Sequence, residues 1–252
     1  MTCEAPTDAE ATRRGVTRLF DAIESRRLVA IEDALDPNAT WQNVPHPAAL
    51  GRDEVVALLA PIVRWSDRIR WEVVSASFEP GVARVERVDR FTIGGAEHSV
   101  ACHGVFGVSP AGLVSWVRDY CDLTAWRQRI APAYRAMGER SASAVVERHL
   151  GAVGRRDAAA MSADYALDAV LERPGTEYRG FRAIAVYFDA VVGGLGGRRV
   201  EFESPGVGDD GSVSVRWNVD GVESTTSGTD TYVVVDGSIS RQAVRLDGGD
   251  FW

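Results

Sequence analysis

Apolar residues recur at helical spacing over residues 8–26: Val16, Leu19, Phe20 and Ile23 form one stripe behind Thr7-Asp8-Ala9-Glu10, a capping-box sequence. Residues 29–35 predict a second short helix. Residues 52–64 predict a third, with Val55, Leu58, Leu59 and Ile62 on one face. A short strand ending in Thr40-Trp41-Gln42-Asn43 precedes it. The period then becomes alternating, so residues 70–77, 82–93, 98–108 and 113–123 read as strands, separated by Glu79-Pro80-Gly81, Gly94-Gly95 and Pro110-Ala111-Gly112 turns. A helix over 124–137 follows.

After Gly138-Glu139-Arg140-Ser141 the plan restarts. Helices are predicted over 144–153, 158–165 and 181–192, and strands over 169–172, 198–204, 212–219, 228–235 and 238–246. Pro45 to Gly51 and Pro174 to Gly180 have the same separation, and each leads into the third helix of its half. Helices first and antiparallel strands after is the α+β pattern, here duplicated as a tandem over residues 1–138 and 139–252. The duplication predicts an intramolecular pseudo-dimer, compatible with further homo-oligomerisation.

Composition narrows the chemistry. The chain has 252 residues, 45% hydrophobic and 25% charged, as in a soluble globular protein with a sizeable core. It lacks an apolar stretch of membrane-spanning length and an apolar signal core, so a cytoplasmic protein is expected. Net charge of -8 argues against nucleic acid as a partner. All 28 basic residues are arginine, which excludes Schiff-base and pyridoxal phosphate chemistry and the lysine of a phosphate-binding loop. Cys3, Cys102 and Cys121 are odd in number and too scattered for a disulfide framework or a zinc site. His98, His103 and His149 pair with no second ligand at metal spacing, so no metal and no cofactor are expected.

The candidate chemistry lies on two strands. Alternation puts Val85, Arg87, Asp89 and Phe91 on one face of residues 82–93, and Leu113, Ser115, Val117, Asp119 and Cys121 on one face of the last strand of that half. An Arg-x-Asp on a strand is most often a cross-strand ion pair on a wet face. If both faces line one apolar hollow, however, burial and repulsion keep one proton on the two carboxyl groups. The pair then offers a general acid and a general base, which suits an uncharged electrophile such as an epoxide.

The stretches WQNVPHPAALGRDEV, VERVDRF and HGVFGVSPAGLVSWVRDYCDL resemble the limonene-1,2-epoxide hydrolase family, in the right order over nearly all of the first half. The resemblance implies a conical α+β barrel similar to nuclear transport factor 2, a curved antiparallel sheet with helices closing a pocket. It implies Asp89 as acid, Asp119 as base, Arg87 holding both and Asn43 holding the water. A small lipophilic epoxide would be the substrate, lined by Trp41, Phe91, Val117 and Cys121, with His46 at the mouth. The family's water-contacting tyrosine is replaced by Trp41, which donates but cannot accept a hydrogen bond.

The second half, through LERPGTEYRG, resembles SnoaL-like proteins. Aligned on its proline, Val170 stands for Trp41 and Glu172 for Asn43. Through the likeness of Val85-Glu86-Arg87-Val88-Asp89 to Trp217-Asn218-Val219-Asp220, Asn218 stands for Arg87 and Asp220 for Asp89, with Val244 or Gln242 for Asp119. The set is broken, and Glu172 with Asp220 is the candidate second carboxylate pair. The resemblance therefore implies a catalytic first half and a second half acting as scaffold or specificity wall. Three readings follow: hydrolysis of an epoxide to a vicinal diol in specialised metabolism, epoxide-opening cyclisation by a substrate hydroxyl, and ligand binding without turnover.

Overall fold

The computed structural model describes residues 8–220 and 226–248; Cys3 and Thr7 lie outside them. The chain divides into two units, Met1–Arg135 and Ala136–Trp252.

In the first unit α1 (Ala9–Glu24) is capped by Asp8, whose carboxylate accepts from the Ala11 N–H. Helix α2 (Leu28–Ala34) runs directly into β1 (Leu35–Asn43), so the predicted second helix stops where Leu35 enters the sheet. Then come β2 (Ala49–Leu50), α3 (Arg52–Trp65), β3 (Arg68–Glu79), β4 (Val82–Ile93), β5 (Ala96–Val108) and β6 (Val114–Cys121). The predicted helix over 124–137 is α4 (Leu123–Ala125), a π-turn at Trp126–Ile130, and α5 (Ala131–Gly138).

The strand order is β2-β1-β6-β5-β4-β3, an open path rather than a closed barrel. Its β1–β6 pair is parallel, so the sheet is mixed where alternation had predicted an antiparallel one. Parallel pairing follows from the connection: α3, β3, β4 and β5 intervene, which lets β6 return alongside β1 in the same direction. Register breaks in β3 and between β5 and β6 bend the sheet around α1, which packs across β3, β4 and β5. Leu19, Ile23, Ile31, Val55 and Leu59 from the helices are buried on the concave face with Trp41 and Phe106. Each such aliphatic side chain contributes roughly 1.5–3 kcal/mol.

The second unit repeats the order with α6 (Ala142–Arg155), α7 (Ala158–Ala163), β7 (Tyr165–Arg173), β8 (Thr176–Arg179), α8 (Gly180–Leu195), β9 (Val200–Phe202), β10 (Gly206–Val207), β11 (Val213–Val219), β12 (Thr226–Val235) and β13 (Ser238–Leu246). Its path is β10-β11-β12-β13-β7-β8, with β9 beside β11 and β13–β7 parallel. Gly51 and Gly180, at the starts of α3 and α8, both have positive φ, +88° and +77°, a conformation a side chain would strain. That shared requirement is why a glycine recurs at this point in each half. Among the described residues no helix is long and apolar enough to cross a membrane.

Candidate active site

Strand β4 alternates without interruption, so Val85, Arg87, Asp89 and Phe91 all face the core, with Arg87 at 1% exposure and Asp89 at 4%. Strand β6 does not: the β5–β6 register shifts between Val108 and Gly107, burying Val114 while Ser115 is left half-exposed. Beyond this bulge the inward face is Val117, Asp119 and Cys121, and Asp119 lies opposite Gly104 of β5. The predicted inclusion of Leu113 and Ser115 on that face fails for this reason.

The two strands bring the three charged groups into contact. Arg87 donates from Nε to Asp89 Oδ1 at 2.7 Å and from Nη2 to Asp89 Oδ2 at 3.1 Å. It also donates from Nη1 to Asp119 Oδ1 at 3.0 Å and from Nη2 to Asp119 Oδ2 at 2.6 Å. One guanidinium thus forks onto both carboxyl groups, which only arginine geometry permits. Its plane lies over Trp71, 4.2 Å from the ring centroid, with Phe20 and Phe106 at 5.9 and 5.8 Å. Gly104 makes the room: a Cβ there would stand 2.7 Å from Arg87 Nη1.

Burial pushes the Asp89 carboxyl up to about 7, against the pull of Arg87 and with help from the charge of Asp119. Burial also opposes the charge on Arg87, but the two carboxylates outweigh it and hold the guanidinium protonated. At neutral pH Asp89 is therefore poised between acid and carboxylate.

Asn43 is the register partner of Asp119 in the parallel β1–β6 pair, and the Val44 N–H donates to the Asp119 carbonyl at 2.9 Å. Trp41 donates its indole N–H to Asn43 Oδ1 at 3.1 Å. That bond assigns the amide: its carbonyl is taken, and its NH2 is the end that can hold another acceptor.

Phe91 and Val117 are buried as the face assignments require, and Phe91 meets Trp126 and Tyr134 edge-on at 6.2 and 6.1 Å. Cys121 is not a free pocket-lining thiol. It is disulfide-bonded to Cys102, its direct cross-strand partner, a pairing hidden by the 19-residue separation until β5 and β6 form a hairpin. His46 is exposed on the turn after β1, where its backbone N–H donates to the Asn43 carbonyl at 2.8 Å.

Ligand atoms of Asp89, Asp119, Cys102 and Cys121 lie within 4.8 Å of one another, the one such group of possible metal ligands among the described residues. A guanidinium already binds both carboxyl groups and the sulfurs are bonded to each other, so this is an ion-pair centre rather than a cation site.

Residues 10–130 match the model of the limonene-1,2-epoxide hydrolase catalytic domain, and residues 146–242 that of the SnoaL-like domain. The first unit carries a limonene-1,2-epoxide hydrolase domain, the second a SnoaL-like domain. Similar solved structures include an epoxide hydrolase of the same type from M. tuberculosis, 23% identical over 52% of this chain and 96% of that one, TM-score 0.41. Another is Bal32a from a soil-derived mobile gene cassette, 21% identical over 47% and 95%, TM-score 0.41. A third is a candidate SnoaL-like polyketide cyclase from Jannaschia sp. CCS1, 18% identical over 52% and 98%, TM-score 0.43. The domains support epoxide-hydrolase or cyclase-type activity in general.

In the SnoaL-like unit the expected Glu172–Asp220 pair does not form. Glu172 accepts twice from Arg241, at 2.7 and 2.9 Å, and Asp220 is exposed. The alignment behind that pair slips by one residue. Trp41 pairs with Val117 across β1–β6, and Leu171 with Gln242 across β7–β13, so Leu171 rather than Val170 occupies the Trp41 position and Arg173 rather than Glu172 that of Asn43. The same registers put Trp217 at the Arg87 position and Val219 at the Asp89 position, displacing Asn218 and Asp220 outward. For Val170 and Glu172 the cause is the turn: residues 44–48 join β1 to β2, but only residues 174 and 175 join β7 to β8. Asn218 and Asp220 come instead from the likeness of residues 85–89 to residues 217–220, which is one residue out of register in the other direction. A one-residue slip turns every side chain to the other face.

Proposed function

We propose that the first unit opens a lipophilic epoxide with water, giving a vicinal diol in one step without a cofactor. The observation that supports this most is the Arg87 fork, which holds two buried carboxyl groups together while Asp89 retains a proton near neutrality. Asp89 donates that proton to the epoxide oxygen as the carbon–oxygen bond breaks. Asn43, its carbonyl held by Trp41, offers its NH2 to the oxygen of the attacking water. Asp119 takes the water proton, so the charge on the pair is the same before and after. A proton then passes from Asp119 back to Asp89, and no covalent enzyme ester is needed.

A second reading has the substrate's own hydroxyl as nucleophile, forming a ring. The aromatic enclosure of the ion-pair centre by Trp71, Phe20 and Phe106 favours it, because excluding water suppresses the competing hydrolysis. Turnover of candidate epoxides in oxygen-18 water separates the two. One labelled oxygen in a product of diol mass is the expected result; an unlabelled isomer of unchanged mass would replace hydrolysis with cyclisation.

The role of Trp41 is separately testable. Trp41→Phe keeps an aromatic ring in the core but loses the donor that fixes Asn43. Turnover should fall about fivefold, the value of one neutral hydrogen bond of about 1 kcal/mol, with KM little changed. A rate equal to the parent's would show that Asn43 is oriented without it.

A further inference from the structure

The SnoaL-like unit contains a polar centre of its own, at positions where the first unit has none. On β12, Asp230 and Tyr232 occupy the places of Gly104 and Phe106, and on β13 Gln242 occupies that of Val117. The Asp230 carboxylate accepts from Trp217 Nε1 at 2.9 Å, Gln242 Nε2 at 2.8 Å and Tyr232 OH at 3.1 Å. Tyr165 OH in turn donates to the Gln242 carbonyl. The exchange is reciprocal: Gly228 replaces Cys102 opposite Trp217, and a Cβ there would stand 2.6 Å from the indole.

This centre borders a hollow that opens to solvent. Phe188, Val191, Leu195, Val219 and Val244 make most of its walls apolar, Arg173 and His149 also line it, and His149 meets Tyr165 and Tyr232 edge-on. Asp230 lines the hollow and keeps part of its surface accessible, although protein surrounds it. A carboxylate has roughly four acceptor positions, and three are filled here. Burial pushes the Asp230 carboxyl up, and the three donors hold it back toward the charged form. A unit serving only as a wall gains nothing from a buried carboxyl group beside an unfilled apolar hollow, because both cost stability.

We propose that this hollow is a second ligand site, taking a compact lipophilic molecule whose hydroxyl group, phenolic or alcoholic, donates its hydrogen to Asp230. The apolar body lies against Val219, Val244 and Phe188, and the hydroxyl completes the carboxylate's hydrogen bonding. The site is independent of epoxide opening in the first unit, so either assignment can fail without the other. It also assigns the second unit a role other than scaffold.

The test uses the full chain with 2-naphthol and with 2-methoxynaphthalene, the same ring system without a donor. Saturable 2-naphthol binding is expected, with the methoxy compound about fivefold or more weaker, since it has no hydrogen to donate to Asp230. Asp230→Asn should remove most of that discrimination, and Val244→Trp should abolish 2-naphthol binding by filling the hollow. In the unaltered chain, 2-naphthol should shift the methyl resonances of Val219 and Val244, which locates the site even if a variant misfolds. Equal binding of the two compounds, no saturable binding, or shifts absent from those two methyls would overturn the proposal.

Discussion

Asp89→Asn is expected to lower turnover of an epoxide by about 10²–10⁴-fold while leaving the chain folded. The amide oxygen can still accept from Arg87 Nε, but the side chain no longer has an acidic proton to give the ring oxygen. Asp119→Asn should lose activity to a similar extent, because the base is then missing. Rate against pH adds a test that a merely structural role would not pass. With Asp89 pushed up to about 7, its acid form is present below that pH and disappears above it, so the parent's kcat should fall as pH rises through 7. The residual rate of Asp89→Asn should lack this alkaline limb. Stability follows the same sign: a carboxyl raised from 3.8 to about 7 on folding stabilises the native state fully below 3.8 and loses that contribution as pH climbs through 7. Parent-like activity in both asparagine variants would remove the paired-carboxyl mechanism.

Strand β4 could be read from its residues alone because its alternation is unbroken from Ala83 to Ile93, and alternation is a local property. Arg87 and Asp89 were legible for that reason, and Asp119 from the alternation that β6 keeps beyond its bulge. What surrounds them was not. The aromatic enclosure draws Phe20 from α1, Trp71 from β3 and Phe106 from β5, three residues that share no local pattern and meet only when the sheet curves over the helix. The bulge before Trp116 and the Cys102–Cys121 bond likewise belong to the β5–β6 pairing, not to either strand.

The second unit shows the same limit more sharply. Its proline-to-glycine spacing aligned the start of α8 correctly, yet the shorter β7–β8 turn moved the strand by one residue. Glu172 falls on the other face as a result, and Asp220 does so separately, because the likeness of residues 85–89 to residues 217–220 is one residue out of the β11–β12 register. The alternation of Gly228, Asp230 and Tyr232 was visible in the chain, but an acid between small and aromatic residues on a strand has many ordinary explanations. Only the register of β12 against β11 and β13 shows that Trp217, Tyr232 and Gln242 converge on it.

Arg87→Met should be the most destabilising single change in the first unit, by about 3–5 kcal/mol, because it leaves two buried carboxyl groups facing each other without their cation. The four hydrogen bonds that Arg87 makes are not its net contribution to stability. Most of the loss is the cost of stranding Asp89 and Asp119. A triple variant, Arg87→Met with Asp89→Asn and Asp119→Asn, should therefore recover much of the stability while staying inactive, since removing a whole buried ion cluster is often close to neutral. Arg87→Lys should resemble Arg87→Met more than the parent, because one ammonium cannot fork onto both carboxyl groups. Urea unfolding of the full chain, followed by the first unit's tryptophan transition, measures all three. A single Arg87→Met variant within about 1 kcal/mol of the parent would mean that water reaches the pair freely, and with it would go the desolvation that keeps Asp89 protonated.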